Sequence, residues 1–227
     1  MFAQTYQAGF ISLLYSVGPR PLQLCEKHEE TPGSVRRVLD TDVQSSVVEL
    51  SADNLVHTWL RFPFGVVDGH QNLSAVSASL HIKLRHLVLV LKNLDQHVSL
   101  EVHVADDRDT RRRFRFSTFQ RQSIVHPQIA LLPLQLDAGW NQLQLDIVQL
   151  MQTCYNARYA YVISVQLHAS CRVRRIYFAE QMFPEAQLPA EFRLFKRLSK
   201  EQLQQCHHQD HGRAQQDEAG EKTIIAK

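Results

Sequence analysis

The chain contains few of the residues that define a disulfide framework or a membrane anchor. Its 227 residues include four cysteines, which are spread along the chain without a CxxC pair. Secreted disulfide scaffolds are small and rich in cysteine, so this spacing predicts a cytosolic protein with reduced, buried thiols. No run of about 18 apolar residues occurs, and we therefore predict neither a transmembrane helix nor a membrane partner.

The apolar segment AGFISLLYSVG at 8–18 has the composition of a signal-peptide core. However, no basic residue precedes it, since the first is Arg20, and no clear small-residue cleavage pattern follows. We do not predict a signal peptide.

Motifs of catalysis are also missing. The patterns GxSxG, HExxH, GxGxxG and the Walker sequence are absent. The CHHQDH segment at 206–211 lies in a polar terminal region, where we do not expect an ordered metal site. The sequence predicts no enzyme, no metal, no cofactor and no small-molecule substrate.

The basic residues are mostly arginine. Lysine and arginine together number 25, of which eighteen are arginine, against 23 acidic residues, and the formal net charge is +2. A dedicated nucleic-acid-binding protein normally has a larger basic excess, so any positive field must be local. Arginine makes planar, bidentate contacts with carboxylates and phosphates, which favours a role at an interface.

Alternation of apolar and polar residues with a period of two dominates the chain. In VSLEVHV at 98–104 the valines and the leucine face the core and Glu101 faces outward. In VHTWLRF at 56–62, Val56, Thr58, Leu60 and Phe62 share one face of the predicted strand. Asp146 is expected to cap a single helix that ends near Tyr155. Other strand-like segments lie at 86–92, 111–118, 131–136, 141–147, 161–168 and 172–178. Many short strands with little helix predict an all-β sandwich or jelly roll.

Composition divides the chain into two regions. Residues 1–198 are predicted to form the sandwich domain, and residues 62–79 within it a long surface loop. Residues 199–227 are rich in glutamine, histidine and acidic residues. They contain too little apolar surface to offset the entropy of ordering, so we predict a disordered polar tail.

The segment RDTRRRFRFSTF at 108–119 has five arginines within eight positions. Strand alternation directs Phe114 and Phe116 into the core, and Arg112 lies on the same side near the start of the strand. The outward face carries Arg111, Arg113 and Arg115. Their guanidinium groups would be about 7 Å apart, so the ladder repels itself unless acidic groups lie across it.

Three interpretations of this ladder remain open. Acids on neighbouring strands could balance it, with Glu101 and Asp106 as candidates. Alternatively, the ladder is a docking face for an acidic protein or polymer. Nucleic acid is the third interpretation; the modest net charge and the inward phenylalanines, which cannot act as stacking platforms, disfavour it.

A second basic strand is CRVRRIYF at 171–178, where Arg172 and Arg174 share a face. If the two arginine-bearing strands are neighbours, they form a joint basic patch. The candidate partner-binding residues are therefore Arg111, Arg113, Arg115, Arg172 and Arg174.

Several long blocks resemble the cilia- and flagella-associated protein 20 family, also called the Bug-twenty-two family. They follow one another in the family's order over almost the whole of 1–196. The blocks are MFAQTYQAGFISLLYSVG at 1–18, PLQL at 21–24, DTDVQSSVVEL at 40–50, LKNL at 91–94, DDRDTRRRFRFSTFQ at 106–120, LDAGWNQLQLD at 136–146 and VQLHASCRVRRIYFAEQMFPEAQLPAEFRLF at 165–195.

The resemblance implies a jelly-roll-like antiparallel β-sandwich, similar in shape to carbohydrate-binding modules and without enzymatic activity. It also implies a microtubule inner protein of the cilium or flagellum, located at the inner junction of the axonemal doublet microtubule. The implied partners are tubulin and a neighbour of the Parkin-coregulated type, with basal bodies and centrioles as further locations. Tubulin is acidic, which agrees with the docking interpretation of the arginine ladder.

Departures from the family pattern indicate a divergent paralogue. Cys25 stands where the family has tryptophan, the 62–79 connection is longer, and the polar tail extends past the usual end. A tissue-restricted role, for example in sperm flagella, is a hypothesis based on this divergence. Two alternative functions remain, a glycan-binding module and a nuclear protein that associates with nucleic acid.

Overall fold

A computed structural model describes residues 1–65, 79–184 and 187–188. Residues 66–78, which make up most of the predicted 62–79 loop, and the predicted tail at 199–227 lie outside the described residues. The strands belong to one compact unit, Met1–Asp40 and Ser45–Arg193, and the described part of a second unit is Thr41–Gln44. The predicted domain boundary at residue 198 stays a prediction.

The described residues form thirteen strands, one α-helix and one 3-10 helix at Leu55–His57. The strands and the helix are β1 (Phe10–Tyr15), β2 (Glu26–Glu29), β3 (Ser34–Asp40), β4 (Ser45–Ser51), β5 (Thr58–Phe62), β6 (His86–Asn93), β7 (Ser99–Asp106), β8 (Arg111–Ser117), β9 (Ile124–Val125), β10 (Ile129–Pro133), β11 (Gly139–Asp146), α1 (Ile147–Tyr155), β12 (Tyr159–His168) and β13 (Cys171–Ala179).

The strands assemble into two sheets. The six-stranded sheet has the order β11-β6-β13-β4-β3, and β1 also pairs with β13. The seven-stranded sheet has the order β2-β5-β12-β7-β8-β10-β9. Named neighbours run antiparallel except β8 and β10, which are parallel. The predicted β-sandwich with one short helix is confirmed.

Apolar side chains from the inner faces of both sheets form a common core. Leu100 and Val102 of β7 and Leu89 of β6 belong to the same buried cluster, although the strands lie in different sheets. Burial of this surface is the main favourable contribution to folding. Strand β6 is apolar on its other face too, where Val88 packs with Tyr177 in a second small cluster.

Helix α1 begins where the sequence predicts. The side chain of Asp146 accepts a hydrogen bond from the backbone N–H of Gln149, and Asn156 ends the helix in the left-handed conformation. Ile147 and Met151 point into the core. Among the described residues, no helix has the length and apolarity needed to cross a bilayer.

The predicted strand at 56–62 begins later than expected. The side chain of Asn54 accepts a hydrogen bond from the backbone N–H of Val56, and this local bond stabilises the 3-10 turn instead of a strand. Val56 is consequently 61% exposed, whereas Leu60 and Phe62 are buried, so the prediction that Val56 shares their face is wrong.

The described cysteines are free thiols, of which Cys25 and Cys171 are buried and Cys154 is partly buried. Burial raises the pKa of Cys171 to about 12, which leaves this thiol protonated and unreactive at neutral pH.

Candidate functional site

Strand β8 carries the arginine ladder on the outer face of the seven-stranded sheet. Arg113 lies opposite His103 of β7, and Arg115 lies opposite Glu101. Phe114 and Phe116 are buried in the core, as the alternation predicts. Arg111, at the start of the strand, is exposed.

The carboxylate of Glu101 contacts two of the three ladder arginines, Arg113 and Arg115. Nε of Arg115 lies 2.8 Å from Oε1 of Glu101, and Nη1 of Arg113 lies 3.4 Å from Oε2. Nε2 of His103 is 3.5 Å from the same Oε2. The carboxylate is buried, but the side chains of Arg113 and Arg115 remain 41% and 39% exposed.

The Glu101 carboxylate is firmly ionised. Burial raises its pKa, but the contact with His103 and the charges of Arg115 and Arg113 outweigh burial and lower the pKa to about 2. Glu101 is therefore the neighbouring acid of the first interpretation, and its single charge balances one of the two arginines that contact it.

Asp106, the other candidate acid, does not balance the outward ladder. Its Oδ1 accepts hydrogen bonds from the backbone N–H groups of Arg108 and Thr110, which closes the turn between β7 and β8. Its Oδ2 lies 3.5 Å from the inward Arg112, whose guanidinium also stacks 4.7 Å from the ring centre of Tyr155.

Arg113 and Arg115 keep N–H donors that the shared carboxylate of Glu101 does not use. A guanidinium group has five N–H donors, and within the described chain Arg113 and Arg115 each direct a single nitrogen at Glu101. Two positive charges share one negative charge, so the cluster keeps an excess positive charge beside solvent. Such a surface is suited to carboxylate or phosphate groups of a partner.

A second basic group lies on the same outer face, two strands beyond β7. The guanidinium of Arg61 in β5 stacks 4.6 Å from the ring centre of Trp59, and His28 stacks on the same indole at 5.1 Å. Nε of Arg61 donates to Oε1 of Gln166 at 2.7 Å. Pairing across the strands places Arg61, Gln166, Glu101 and Arg115 in one row.

His168 fixes the orientation of the Gln166 amide. Nδ1 of His168 is 3.1 Å from the carbonyl oxygen of Leu55, which can only accept, so Nδ1 carries the proton. Nε2 then accepts from the amide nitrogen of Gln166 at 3.0 Å, which leaves the amide oxygen to Arg61. Burial lowers the pKa of His168 and favours this neutral form.

Sequence reasoning did not assign Trp59 and Arg61 to a site. The alternation in TWLRF already places both on the face opposite to the buried Leu60, and this pattern could have identified them. That they share a row with the ladder depends on long-range strand pairing, which the local pattern does not contain.

Arg172 does not join the ladder, because β13 lies in the other sheet. Its Nη1 lies 2.7 Å from Asp40 and its Nε lies 2.8 Å from Glu49. Lys92 also contacts Asp40, at 3.0 Å, and Asp40 is completely buried. The joint basic patch that the sequence allowed is absent from the described residues.

Arg174 is also separate from the ladder. A bulge between Val173 and Arg175 interrupts the pairing of β13 with β6 at this position. Nη1 of Arg174 is buried and has no hydrogen-bond partner among the described residues. Burial lowers the pKa of this guanidinium. The five candidate arginines therefore divide into an exposed group on β8 and a partly buried group on β13.

An open, polar cleft of about 950 Å³ lies where loops from both sheets meet, between residues such as Asp53, Asp95, His97 and Ser170. Across the part of the chain that the structure describes, no group of three or more histidine, cysteine or acidic side chains is placed to hold a metal ion.

The chain is a β-sandwich, and the outer face of one of its sheets carries a basic, partly exposed group of side chains. The CFA20 domain matches residues 1–196, and the chain belongs to this family. A relative from Chlamydomonas reinhardtii is 40% identical over 200 residues, which cover 88% of this chain and all of the algal protein. Relatives from Paramecium tetraurelia and Caenorhabditis elegans are 39% and 37% identical. All three are named Cilia- and flagella-associated protein 20.

Two solved structures are distantly similar to the chain. A family 11 carbohydrate-binding module from Clostridium thermocellum, bound to a mixed-linked tetrasaccharide, aligns with 79% of this chain and all of its own. The identity is 8% and the TM-score is 0.39. An exo-beta-agarase aligns with a TM-score of 0.38 over 26% of its chain.

Proposed function

We propose that this chain is a non-catalytic structural protein of the ciliary or flagellar axoneme. In this proposal it is a microtubule inner protein at the inner junction of the doublet microtubule, where it supports the stability and motility of the cilium. The names of its relatives, which are associated with cilia and flagella, support the location. The inner junction and the neighbour of Parkin-coregulated type follow from the family resemblance alone.

The arrangement of Arg113 and Arg115 around Glu101 is the observation that carries the tubulin contact. The carboxylate holds both guanidinium groups, and each partly exposed arginine keeps N–H donors that Glu101 does not use. The wall of a microtubule is acidic, so these donors can form charge-assisted hydrogen bonds with aspartate and glutamate side chains.

Each such contact is modest, because the groups are partly exposed and screened by salt. A microtubule lattice presents the same acidic surface at regular intervals, and linked copies gain avidity from that repetition. Weak single contacts are therefore compatible with stable incorporation into a doublet.

Co-sedimentation with microtubules tests the proposal. Replacing all three ladder arginines by alanine would leave Glu101 buried without its counter-charges, so that variant mixes lost binding with lost stability. A cleaner variant combines Arg111→Gln, Arg113→Gln and Arg115→Gln with Glu101→Gln. We expect it to remain folded and to bind microtubules about tenfold more weakly at low salt.

The matched control is Glu101→Gln alone, which removes the internal competitor and keeps all three arginines. This variant should bind at least as tightly as the wild type and should show a steeper dependence on salt. Equal sedimentation of all three proteins would exclude the β8 face as the tubulin contact. A tagged copy that stayed out of the axoneme in a flagellated cell would contradict the location itself.

A further inference from the structure

The arginine ladder of β8 borders an apolar strip, and we infer that the two together bind an amphipathic helix of a partner protein. The strip consists of Ile124 on β9 with Ile129 and Leu131 on β10. The inference rests on the proposed function, in which this face meets an acidic partner. It adds the conformation of the bound segment and a requirement for apolar side chains beside its carboxylates.

Strand pairing places the strip directly beside the ladder. Arg113 pairs with Ile129, and paired residues project from the same face of a sheet. Arg115 pairs with Leu131, which pairs in turn with Ile124 on the last strand of the sheet. The residues of β10 that alternate with the strip are buried, as expected if the strip faces outward. Arginines and aliphatic side chains therefore form two adjoining rows on one surface.

The strip is accessible to a partner. Ile124 is 43% exposed, and Ile129 and Leu131 are partly exposed. Covering this apolar surface is favourable in proportion to the area removed from water. Apolar side chains next to one another, bordered by charged groups, are a common feature of docking surfaces.

The distribution of charge orients the partner. On the β7 side of the ladder, Glu101 lies opposite Arg115 and would repel a second carboxylate. On the other side, residues 118–136, which include β9 and β10, contain no acidic residue. A partner is therefore bound most favourably with its carboxylates on the guanidinium groups and its apolar side chains on the strip.

The spacing of the two rows fits a helix that lies along β8. Arg113 and Arg115 are two residues apart on a strand, which corresponds to about 7 Å. Acidic residues at positions i and i+4 of an α-helix lie on one side, about 6 Å apart along the axis. Residues at i+3 and i+7 lie beside them and reach the strip, which is one strand spacing, about 5 Å, away.

An extended segment fits this surface less well. A segment that runs along β8 turns only every second side chain towards the sheet, in a single row. It would cover the arginines or the strip, but not both. A helix presents both rows and also shields the ion pairs from water, which strengthens contacts that are weak when they are fully exposed.

Two helical peptides of identical composition test the inference on the full-length protein. Both are alanine-rich, about fifteen residues long, and carry glutamate at i and i+4. The first has leucine at i+3 and i+7, beside the glutamates, and the second has leucine at i+2 and i+6, on the opposite face. We expect the first to bind about fivefold more tightly at low salt, measured by fluorescence anisotropy of the labelled peptides.

A third peptide tests the bound conformation. It is the first peptide with proline at i+2, which breaks the helix and keeps the charge and the leucines. It should bind no more tightly than the second peptide. Circular dichroism should show that the protein increases the helix content of the first peptide and not that of the third.

Variants of the protein locate the effect. Ile124→Gln should reduce the preference for the first peptide to less than about twofold, because the exposed end of the strip is lost. Leu39→Gln is the matched control, since Leu39 is 73% exposed on β3, an end strand of the other sheet, and it should leave the preference unchanged. Chemical denaturation checks that both variants are as stable as the wild type. The charge-neutral ladder variant should weaken binding of the first peptide about tenfold.

Equal binding of the first two peptides, tight binding of the proline peptide, or an unchanged preference in Ile124→Gln would overturn the inference. So would a single-stranded oligonucleotide that bound this face more tightly than the first peptide. If these peptide results fail while the charge-neutral ladder variant still loses microtubules, the proposed function stands alone. If the peptides are distinguished as expected but the ladder variant keeps its microtubule binding, the proposed function fails and the helix-binding site remains.

Discussion

The two sheets carry arginines on their outer faces with opposite consequences. On the six-stranded sheet, Arg172 bridges Asp40 and Glu49, and Lys92 also contacts Asp40. On the seven-stranded sheet, Arg113 and Arg115 share the single carboxylate of Glu101 and stay partly exposed. We call the first network closed, because two carboxylates of the protein itself hold Arg172, Lys92 and Arg36. We call the second open, because a single carboxylate holds both arginines and each stays partly exposed.

The contrast shows that the number of arginines on a strand does not define a binding surface. What matters is how many carboxylates the neighbouring strands provide and how deeply the charges are buried. Burial penalises the ionised form of Glu49, but hydrogen bonds from Arg172 and Arg36 overcome this penalty and lower its pKa. Charges that satisfy each other in this way have little left to offer a partner.

Asp40→Asn should cause the largest loss of stability, because it removes the buried carboxylate that Arg172 and Lys92 both contact. The variant would leave Arg172 and Lys92 without the buried counter-charge, and the indole N–H of Trp140, 3.2 Å from Oδ1 of Asp40, would lose an ionised acceptor. We expect the free energy of unfolding to fall by about 3–5 kcal/mol, measured by chemical denaturation. Asp107→Asn on the exposed turn is the control, and a similar loss in both variants would show that the network is not special.

Glu101→Gln tests the open network, because the loss of stability that this substitution causes should depend on pH. The pKa of Glu101 is lowered from 4.5 to about 2 by folding, so its carboxylate stabilises the fold fully above pH 4.5. That stabilisation is lost as the pH falls through about 2. The variant should be less stable than the wild type by about 3 kcal/mol at neutral pH, and the difference should shrink towards zero near pH 2. A difference that is constant with pH would contradict the ion pairs.

A double-mutant cycle of Glu101→Gln and Arg115→Gln sharpens the comparison further. In their contact at 2.8 Å the Arg115 side chain is 39% exposed and Glu101 is buried, so we expect a coupling free energy of about 1 kcal/mol, reduced by added salt. The same cycle with Glu49→Gln and Arg172→Gln should give a larger coupling that salt changes less, since Arg172 is more deeply placed. Equal couplings would remove the distinction between the two faces.

The sequence supported the fold more fully than the site. Alternation and the Asp146 cap predict most strands and the helix, because strand faces and helix starts depend on neighbouring residues. The same local rules place the ladder on one face of β8 and offer Glu101 and Asp106 as candidate acids. They cannot show that β13 lies in the other sheet, nor that Asp40, at the end of β3, is buried beneath Arg172. Both facts depend on long-range strand order.

Arg111→Ala should have the smallest effect on stability. It therefore tests microtubule binding with the least change to the fold. Arg111 is exposed at the start of β8, opposite Ala105, so its removal should change the free energy of unfolding by at most about 0.5 kcal/mol. Microtubule co-sedimentation should still weaken by about twofold at low salt, because one positive charge of the open face is lost. Arg37→Ala on the other sheet should leave sedimentation unchanged. If Arg111→Ala and Arg37→Ala weaken binding equally, the effect reflects overall charge, and the open face has no special role in recognising the partner.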